Sequence, residues 1–355
     1  MDQRLGNQPQ INSNPTFIMR AAFIRETGDP SAIEFGDLPE PTVDRDQVLI
    51  RNHAVSVNPI DTYVRGGMVA FELPIPFMPG CDAAGVVEKV GSDVTHVKPG
   101  DRVWCTNQGL LGVQGTFAEK IAVKSDWVYT LPDNVSFAEA AASALVAVTA
   151  HLGLFREANL RPGETVLVIG GTGGVGSMVL QMAKAVGARV LATGGSPEKC
   201  QRILDLGADV AIDYSAESIL DGVKREAPEG INVFWETRRE PDFDTAIELM
   251  AGRGRMVVMA GRDARPEFPV GPFYVKECSV HGFVMFKASA DEMRACATQV
   301  NQWMSEGKLK ANISKTLPLQ EAAEAHRLQE QATLEGSGGL AGKICLLYTS
   351  PSPRD

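Results

Sequence analysis

A glycine-rich turn in the middle of the chain limits the fold more than any other segment. It directly follows the apolar segment 165–169 and leads into a helix-forming segment. In a dinucleotide fingerprint the first glycine permits a tight turn, the second lets the backbone approach a diphosphate, and the third lets helix and strand pack closely. The helix N-terminus then offers unpaired N–H groups to the diphosphate. The predicted contacts are Gly171, Thr172, Gly173, Gly174, Val175 and Gly176.

Strand-like and helix-forming segments alternate over residues 136–287, on both sides of this turn. Such alternation, with right-handed crossovers, is typical of a doubly wound parallel sheet, the Rossmann architecture. We therefore predict an α/β protein in which residues 136–287 form the dinucleotide-binding domain. The predicted strands cover residues 165–169, 189–193, 210–212, 233–236, 256–260 and 279–285.

The pattern is different before residue 136. Residues 19–135 contain short apolar alternations separated by proline and glycine turns, as expected of a partly closed β-barrel. Later in the chain, the helix-forming residues 290–307 are followed by a strand pattern and a second helix, which we expect to return to the first lobe. A chain of 355 residues is also longer than one hydrophobic core usually supports. Residues 19–135 and 288–344 are therefore predicted to form one lobe.

The two ends of the chain give weaker signals. Residues 1–18 are polar and precede the first strand-like pattern, and we expect them to be a disordered extension. Residues 345–355 resemble the translation of a sequencing-library adapter, and residues 342–344 resemble the start of a strand cut short. We therefore expect residues 345–355 to lie outside the functional chain.

Charge and composition exclude several kinds of partner. The chain has 34 Lys and Arg against 44 Asp and Glu, a formal net charge of -10, and no basic run. This balance repels nucleic-acid phosphates and anionic membranes. The longest apolar stretch, near residues 140–150, is too short to span a bilayer. The cysteines are scattered with no CxxC pair, so we expect reduced thiols in a cytoplasmic protein without nucleic-acid or membrane partners.

The residues after the second predicted strand indicate which nicotinamide dinucleotide binds. NAD enzymes place an Asp or Glu there, which accepts a hydrogen bond from the ribose 2′-hydroxyl. This chain has Gly195, Ser196 and Lys199 instead, and a hydroxyl and a cation suit a 2′-phosphate. NADPH is therefore the predicted cofactor, with Lys199 as a solvated helix residue left as the alternative. Tyr214, after the third strand, either lines the same pocket or is a strand-end aromatic.

Several segments, in this order and spacing, resemble the medium-chain dehydrogenase/reductase superfamily and, within it, the zinc-free zeta-crystallin-like NADPH:quinone oxidoreductases. The resemblance covers residues 19–344. It implies a GroES-like β-barrel catalytic lobe beside the Rossmann domain, and a homodimer paired along residues 279–285. The segments that carry the resemblance are 58–66, 79–91, 97–103, 149–151, 173–176 and 254–261.

Zinc alcohol dehydrogenases of this superfamily hold their metal with a Cys, a Gly-His-Glu segment and a second Cys. Here those places are matched by Pro59 or Ile60, by residues 79–82 with Cys81, and by Cys-free sequence near Leu145. A catalytic zinc needs three protein ligands, which this set does not provide. The comparison implies no metal. Cys81 is interpreted as a packing residue, with a reactive thiol as the alternative.

Without a metal, hydride transfer requires an electron-poor acceptor and neutral hydrogen-bond donors near its oxygen. The resemblance places Tyr63 and Asn58 beside the nicotinamide as catalytic residues, with Thr149 as a further neighbour. Tyr63 could instead only hold the cofactor or pack, and Asn58 could be a turn residue. Three further residues at the carboxyl ends of late strands are predicted cofactor contacts, with core packing as the alternative for the last two: Ala260, Met285 and Phe286.

These features predict an enzyme that transfers a hydride, or electrons, from NADPH to a quinone or similar enone in a cleft between the lobes. Phe71, Phe77 and Trp104 are candidates for an apolar slot, with packing as the alternative. One alternative function is an alkenal or enoyl reductase. The Tyr that enoyl-thioester reductases carry shortly after the segment matching 58–66 is missing here. The other alternative is a non-catalytic NADPH-binding protein with a structural or RNA-binding role.

One segment departs from the family pattern. Relatives usually have a Gly-Gly turn after the fourth strand of the Rossmann sheet, whereas residues 236–239 read Glu-Thr-Arg-Arg here. The resemblance therefore leaves the geometry of this corner open.

Overall fold

A computed structural model describes residues 17–335 and 339–348. The predicted extension 1–18 lies almost entirely outside the described residues, and the first strand begins at Ile18. Two large sheets and a two-stranded ribbon organise the described part of the chain.

The strands of the second sheet are consecutive in the chain and lie between two groups of strands of the first sheet. The ribbon and the first part of the first sheet use β1 (Ile18–Phe23), β2 (Glu34–Pro39), β3 (Gln47–Val57), β4 (Asp82–Val90), β5 (Arg102–Cys105), β6 (Lys120–Lys124) and β7 (Val128–Thr130). The second sheet uses β8 (Thr165–Val168), β9 (Arg189–Gly194), β10 (Val210–Asp213), β11 (Ile231–Glu236), β12 (Met250–Val258) and β13 (Ser279–Gly282). The chain then adds β14 (Ile313–Pro318) and β15 (Lys343–Leu347) to the first sheet.

The α-helices lie between these strands. They are α1 (Pro59–Arg65), α2 (Phe137–His151), α3 (Gly174–Ala185), α4 (Pro197–Asp205), α5 (Ile219–Glu226), α6 (Phe243–Leu249), α7 (Val270–Val275), α8 (Ala290–Ser305) and α9 (Ala322–Thr333). Short 3₁₀ turns cover Pro30–Ala32, Ser125–Trp127, Met285–Lys287 and Leu319–Glu321. A π-helical turn, Leu152–Glu157, continues α2.

The parallel sheet has the order β10-β9-β8-β11-β12-β13. Each neighbouring pair is parallel, as a crossover through a helix requires. The central strand β8 is apolar, and Val166, Leu167 and Val168 are fully buried because both faces of the sheet are covered. The strand order reverses between β8 and β11, so their carboxyl ends open a crevice for a ligand. This arrangement confirms the predicted doubly wound Rossmann architecture.

The first lobe contains a seven-stranded sheet of order β14-β15-β3-β4-β5-β7, with β6 also paired to β3. The long strand β3 pairs with β4 on one side and with β6 and β15 on the other. Helix α1 follows β3 directly, and α9 packs against α1. Segments from both ends of the chain therefore meet at the start of α1, where Asn58 and Tyr63 lie.

The last strand corrects the predicted end of the fold. Residues 345–355 were expected to lie outside the functional chain, yet β15 continues through Leu347. Cys345 pairs with Ser56 of β3 and is fully buried, and the Tyr348 hydroxyl donates to the Thr116 carbonyl oxygen at 2.9 Å. The apolar residues after Ile344 therefore form part of a buried strand. Their resemblance to an adapter sequence does not predict this. Residues 349–355 lie outside the described residues.

The strand predicted over residues 279–285 is shorter than expected. β13 ends at Gly282, whose partner Val258 is also the last residue of β12. Because β13 is a sheet edge, no other strand holds the residues that follow. Met285 and Phe286 therefore lie in a 3₁₀ turn rather than at a strand end.

Trp104 does not join Phe71 and Phe77 in an apolar slot. Its indole Nε1 donates to Asn301 Oδ1 at 2.9 Å, within the core that also contains α2 and α8. Phe77 belongs to a separate small core against which Phe71 packs. Successive residues of β5 point to opposite faces, so Val103 and Trp104 join different cores. The slot prediction is wrong for Trp104.

The helical segment Phe137–Glu157 is longer than the apolar stretch expected from the sequence. It has 21 residues and is long and apolar enough to cross a membrane, but 72% of its most apolar window is buried inside the protein. It packs against α3 and against the strands β3 and β4. Such burial is that of a core helix, so the segment is only weak evidence for a membrane span.

Candidate functional site: a dinucleotide turn beside a buried charge network

The glycine-rich turn joins the carboxyl end of β8 to the N-terminus of α3. Gly170 has a φ of +78°, a left-handed conformation that favours glycine. The sequence prediction places the tight turn at Gly171, and the structure corrects it to Gly170, one residue earlier. Gly171 is required for packing instead, because a Cβ there would lie 2.8 Å from the Cβ of Ala192 on β9.

Gly176 lets α3 pack closely on this turn, whereas Gly173 leaves open space beside it. A Cβ at Gly176 would lie 2.2 Å from the carbonyl oxygen of Gly170. Gly173 is exposed, and a Cβ there would meet only that same oxygen, at 3.4 Å. The room beside Gly173 is therefore not filled by the protein, as the approach of a diphosphate requires.

The first turn of α3 lacks a capping side chain, unlike the helices that follow the neighbouring strands. Helices α4, α5 and α6 begin with Ser196, Ser218 and Asp242, whose side chains accept hydrogen bonds from backbone N–H groups. The N-cap of α3 is Gly173, which has no side chain to do so. Its first N–H groups are thus available to an anion. The turn, which also contains Thr172, Gly174 and Val175, fits a dinucleotide diphosphate.

The residues predicted to contact a 2′-phosphate lie at the carboxyl ends of β9 and β10. Ser196 caps α4, and its Oγ accepts from the Lys199 backbone N–H at 3.3 Å. A Cβ at Gly195 would lie 2.4 Å from the Tyr214 hydroxyl, so the ring of Tyr214 rests against this glycine. Tyr214 is 53% exposed, and both interpretations of this residue stay open. Lys199 is half-buried in the first turn of α4.

The residues predicted near the nicotinamide differ from one another in burial. Tyr63 is half-buried on α1, and burial raises its pKa above the ordinary 10.0, so its hydroxyl is a neutral donor at pH 7. Thr149 is almost fully buried on α2, and its Oγ1 donates to the Leu145 carbonyl oxygen at 2.8 Å. Ala260 is half-buried in the loop after β12. The two residues of the 3₁₀ turn differ, because Met285 is buried in the core and Phe286 is half-buried.

A carboxylate at the start of β4 organises the polar groups beside α1. Asp82 is fully buried, and its Oδ2 accepts from the Ser56 hydroxyl at 3.0 Å and from the Asn58 amide at 2.8 Å. Its Oδ1 accepts from the Thr106 hydroxyl at 2.7 Å and from the Leu145 backbone N–H at 3.1 Å. Burial raises the pKa of Asp82, while these donors oppose that shift. Donors on both oxygens match the ionised carboxylate.

Lys343, from β15, lies on the other side of the Asn58 amide. Its Nζ donates to the Val57 carbonyl oxygen at 2.7 Å and to Asn58 Oδ1. Asn58 therefore stands between an ammonium and a carboxylate, with its oxygen toward Lys343 and its nitrogen toward Asp82. The prediction that Asn58 donates to a quinone oxygen is not supported, because the residue is fully buried and both ends of its amide are engaged. It is a positioning residue at the start of α1.

The Lys343 side chain also reaches the dinucleotide turn. A Cβ at Gly174 would lie 3.1 Å from Lys343 Cδ and 3.1 Å from Val146 Cγ1. The first turn of α3 is thus packed directly against the lysine stem that supports Asn58. The nucleotide turn and the start of α1 are connected by this one side chain.

Asp61 and Cys81 form a second buried pair next to this network. Asp61 Oδ2 accepts from the Asn58 backbone N–H at 2.8 Å, as the capping box of α1. Burial raises the pKa of Asp61 from 3.8 to about 7, while a hydrogen bond from Cys81 lowers it. Burial also raises the pKa of the Cys81 thiol well above its ordinary value, so the thiol stays protonated. This favours packing over a reactive thiol at Cys81.

The Asp61 environment predicts a pH-dependent stability. Between about pH 4 and pH 7 the folded protein retains a proton that the unfolded chain releases, so the free energy of unfolding falls as pH rises through this window, by at most about 1.4 kcal/mol per pH unit. Asp61→Asn is expected to remove this slope, measured by chemical denaturation at several pH values. Asp291→Asn changes an exposed carboxylate and serves as the control. Identical pH profiles for wild type and Asp61→Asn would contradict the prediction.

Within residues 17–335 and 339–348, no group of three or more His, Cys, Asp or Glu side chains is arranged to hold a metal ion. The places matched to zinc ligands contain the protonated Cys81 thiol and Leu145, which contributes only its backbone N–H to Asp82. The buried cation that the structure places in this region is the ammonium of Lys343.

The segment that departs from the family pattern forms a compact corner after β11. The Glu236 carboxylate is fully buried and accepts from the guanidinium of Arg238 at 2.6 to 3.1 Å. The Thr237 hydroxyl donates to the Ile169 carbonyl oxygen at 2.6 Å, next to the dinucleotide turn. Arg239 follows and is exposed.

Sequence reasoning missed Asp61, Asp82 and Lys343 as parts of the site. Asp61 and Asp82 lie inside motifs used for the family resemblance, but their roles depend on partners far away in the chain. Lys343 follows a glycine in the segment 342–344, which the sequence indicates as the start of a strand cut short. A charged residue leading an apolar strand is the available signal, and it is a weak one.

The uncapped dinucleotide turn on a Rossmann sheet, facing a β-lobe with a neutral phenol, defines a nicotinamide-dependent oxidoreductase of the two-lobed medium-chain dehydrogenase/reductase class. Family models for an alcohol dehydrogenase GroES-like domain and for a zinc-binding dehydrogenase match residues 44–133 and 174–303. The chain is 33% identical to the quinone oxidoreductase of Mus musculus over 336 residues, which cover 93% of this chain and 98% of that one. The chain belongs to the zinc-free quinone oxidoreductase family.

Solved structures agree with this assignment. The crystal structure of an NAD-dependent alcohol dehydrogenase has a TM-score of 0.84 at 31% identity, covering 93% of this chain and 100% of that one. A mycobacterial protein solved in complex with NADPH has a TM-score of 0.79 at 27% identity, covering 93% and 99%. The protein is therefore an enzyme that uses a nicotinamide cofactor, held in the GroES-like and Rossmann fold predicted from the sequence.

Proposed function

We propose that the protein transfers a hydride from NADPH to a quinone in the cleft between its two lobes. The observation that carries the proposal is the position of Tyr63, a half-buried neutral donor on α1, in a chain that matches a quinone oxidoreductase over nearly its full length. In this proposal the catalytic lobe comprises residues 19–135 and 288–348, and the nucleotide lobe comprises residues 136–287.

The residues have distinct tasks in the proposed reaction. A bound reduced nicotinamide supplies the hydride. The Tyr63 hydroxyl donates a hydrogen bond to the acceptor oxygen on which negative charge develops, and the raised pKa keeps this donor protonated at neutral pH. Asn58 holds the start of α1 between Asp82 and Lys343, so Tyr63, about one turn further along the helix, keeps its position. Thr149, Ala260, Met285 and Phe286 are the proposed neighbours of the nicotinamide.

The test is a panel of acceptors with NADPH: a benzoquinone, a simple enal and an enoyl-CoA. We expect the benzoquinone to be reduced fastest, and we expect Tyr63→Phe to lower kcat by about tenfold to a hundredfold with little change in NADPH affinity. Tyr274→Phe changes an exposed tyrosine on α7 and is the matched control. Turnover of the enal alone would make the protein an alkenal reductase instead.

The preference for NADPH over NADH is proposed to depend on Lys199 and Ser196. Lys199→Ala removes a cation near the expected 2′-phosphate, so the KM for NADPH should rise about tenfold to a hundredfold while the KM for NADH stays nearly unchanged. Steady-state kinetics with both dinucleotides measures this. Lys224→Ala, at an exposed lysine on α5 paired with Glu248, is the control. An equal effect on both dinucleotides would argue against a 2′-phosphate contact.

We further propose a cytoplasmic homodimer that has no nucleic-acid or membrane partner. The edge strand β13 lies in sequence beside α7, whose Tyr274 and Val275 are 67% and 71% exposed. An unpaired strand edge flanked by exposed apolar side chains suits pairing across a two-fold axis. Sedimentation equilibrium should give twice the mass of one chain, and Val275→Lys should shift it toward a single chain. A single-chain mass for the wild type would contradict the dimer.

A further inference from the structure

Four large apolar side chains are exposed on two loops of the first lobe, in the segment 66–77 after α1 and the segment 107–115 after β5. Each is between 42% and 60% exposed. We call them the apolar rim, which consists of Met68, Ile75, Leu111 and Val113. Single exposed apolar residues are ordinary on a protein surface, whereas a group of them beside a cleft marks a site for an apolar ligand.

The two loops that carry the apolar rim are bonded to each other. The Gln114 side chain donates to the carbonyl oxygens of Pro74 and Pro76, at 3.0 and 2.7 Å. The loops also pack closely at their tips, because a Cβ at Gly112 would lie 3.3 Å from the Glu72 carbonyl oxygen. The four side chains of the apolar rim are therefore held on one surface element.

This surface element adjoins the place where the acceptor is proposed to bind. Met68 follows α1, and its backbone N–H donates to the Tyr63 carbonyl oxygen at 2.9 Å. Arg262, from the other lobe, donates to the Met68 carbonyl oxygen, so Met68 lies at the cleft. Leu110 is buried in a small core, against which Phe286, a proposed neighbour of the nicotinamide, also packs. Apolar side chains therefore extend from the proposed nicotinamide position to the apolar rim.

Leu111 combines an exposed side chain with an unfavourable backbone conformation. Its φ is +53°, in the left-handed region, where a bulky side chain costs free energy. Its side chain joins none of the hydrophobic cores that residues 17–335 and 339–348 form. Strain that brings no packing in return is characteristic of residues that contact a ligand. Leu111 is thus the rim residue on which a functional role is most sharply tested.

We propose that Leu111 and Met68 bind an apolar chain carried by the quinone, so that the enzyme prefers quinones with a longer alkyl or isoprenoid substituent. This inference rests on the proposed quinone reductase function and narrows its substrate class. The flat quinone ring is held in the inner part of the cleft beside Tyr63, and only a chain attached to the ring reaches the apolar rim. The rim side chains offer no charge and no hydrogen-bonding group, so the hydrophobic effect supplies the binding energy.

The test compares three benzoquinones, each with one unbranched alkyl group: methyl, butyl or hexyl. Lengthening this group scarcely changes the reduction potential of the ring, so the three acceptors differ mainly in apolar area. Full burial of a methylene group contributes a factor of about four, and we expect about twofold because the apolar rim covers only one side of the chain. The kcat/KM of the wild type with NADPH should therefore rise about thirtyfold from methyl to hexyl.

Substitutions at Leu111 separate chain binding from folding. Leu111→Asn removes the apolar side chain at a position whose left-handed backbone suits asparagine, so the melting temperature should not fall. The same variant should lower the hexyl-to-methyl ratio of kcat/KM about threefold to tenfold. Leu111→Met keeps an apolar side chain and should retain most of the preference. Leu204→Gln, at an exposed leucine of α4 in the nucleotide lobe, is the matched control and should leave the ratio unchanged.

The outcomes separate this inference from the function on which it rests. A wild-type hexyl-to-methyl ratio near one overturns the inference but keeps the quinone reductase. An unchanged ratio in Leu111→Asn also overturns it, and a changed sedimentation mass in that variant would then make the apolar rim an interface between copies of the chain. An equal loss with all three acceptors, together with a lower melting temperature, makes Leu111 a structural residue instead. If none of the quinones oxidises NADPH, the proposed function itself fails.

Discussion

The Gly176→Val variant is expected to lose dinucleotide binding and at least about 3 kcal/mol of folding free energy. A Cβ at this position would lie 2.2 Å from the Gly170 carbonyl oxygen and 3.0 Å from its carbonyl carbon, and both are backbone atoms of the turn. The turn or α3 must move to admit a side chain, and either movement displaces the N–H groups offered to the diphosphate. Thermal unfolding and fluorescence titration with NADPH measure the two effects.

Gly173→Ala separates cofactor binding from folding. A Cβ there meets nothing closer than 3.4 Å in the protein, so the melting temperature should stay within a few degrees of wild type. The methyl group enters the space proposed for the diphosphate, and NADPH affinity should fall by about tenfold or more. Gly252→Ala, at an exposed glycine in β12 where a Cβ has no neighbour nearer than 4.0 Å, is the control for both measurements. Unchanged affinity in Gly173→Ala would refute the proposed diphosphate position.

The second large effect is expected at Lys343. Lys343→Met keeps the apolar stem but removes the ammonium, which leaves Asn58 Oδ1 and the Val57 carbonyl oxygen without a donor and Asp82 without its nearby cation. Removing one partner of a buried charge pair typically destabilises a protein by about 3–5 kcal/mol. We therefore expect a loss of that size in chemical denaturation, together with weaker NADPH binding, because the lysine stem supports the first turn of α3.

A double variant distinguishes loss of charge balance from loss of packing. Asp82→Asn combined with Lys343→Met removes both charges, so its destabilisation should be smaller than the sum of the two single changes. Lys315→Met, at an exposed lysine of the neighbouring strand β14, should change stability by less than about 0.5 kcal/mol. Strict additivity of the two buried substitutions would show that the two charges do not act on each other through Asn58.

Local patterns were sufficient for the parts of the fold whose contacts are close in sequence. The dinucleotide turn, the alternation of strands and helices, and the absence of a carboxylate after β9 all involve residues that touch within one strand-turn-helix unit. The structure nevertheless corrects two of these local predictions. The turn glycine is Gly170 rather than Gly171, and β13 stops at Gly282 because the edge strand loses its only partner there.

Residues from distant parts of the chain had to be brought together before their roles were visible. The sequence predicts that the Asn58 amide donates a hydrogen bond to the substrate. In the folded chain this amide lies instead between Asp82 on β4 and Lys343 on β15. Cys345 and Leu346, which resemble foreign sequence, become buried residues of a strand paired with β3. Burial and charge pairing depend on strand register across the whole lobe, which no short segment encodes.

The sequence by itself determined that this protein has a Rossmann sheet with a dinucleotide turn and a β-lobe without a zinc ligand set, because glycine spacing, hydrophobic period and ligand chemistry are local properties. Only the tertiary structure decided which groups surround the reaction. It assigned Asn58 to positioning and added Lys343 and Asp82. The physical reason is that the energy of a buried polar group depends on its partners, and these partners are supplied by packing rather than by sequence proximity.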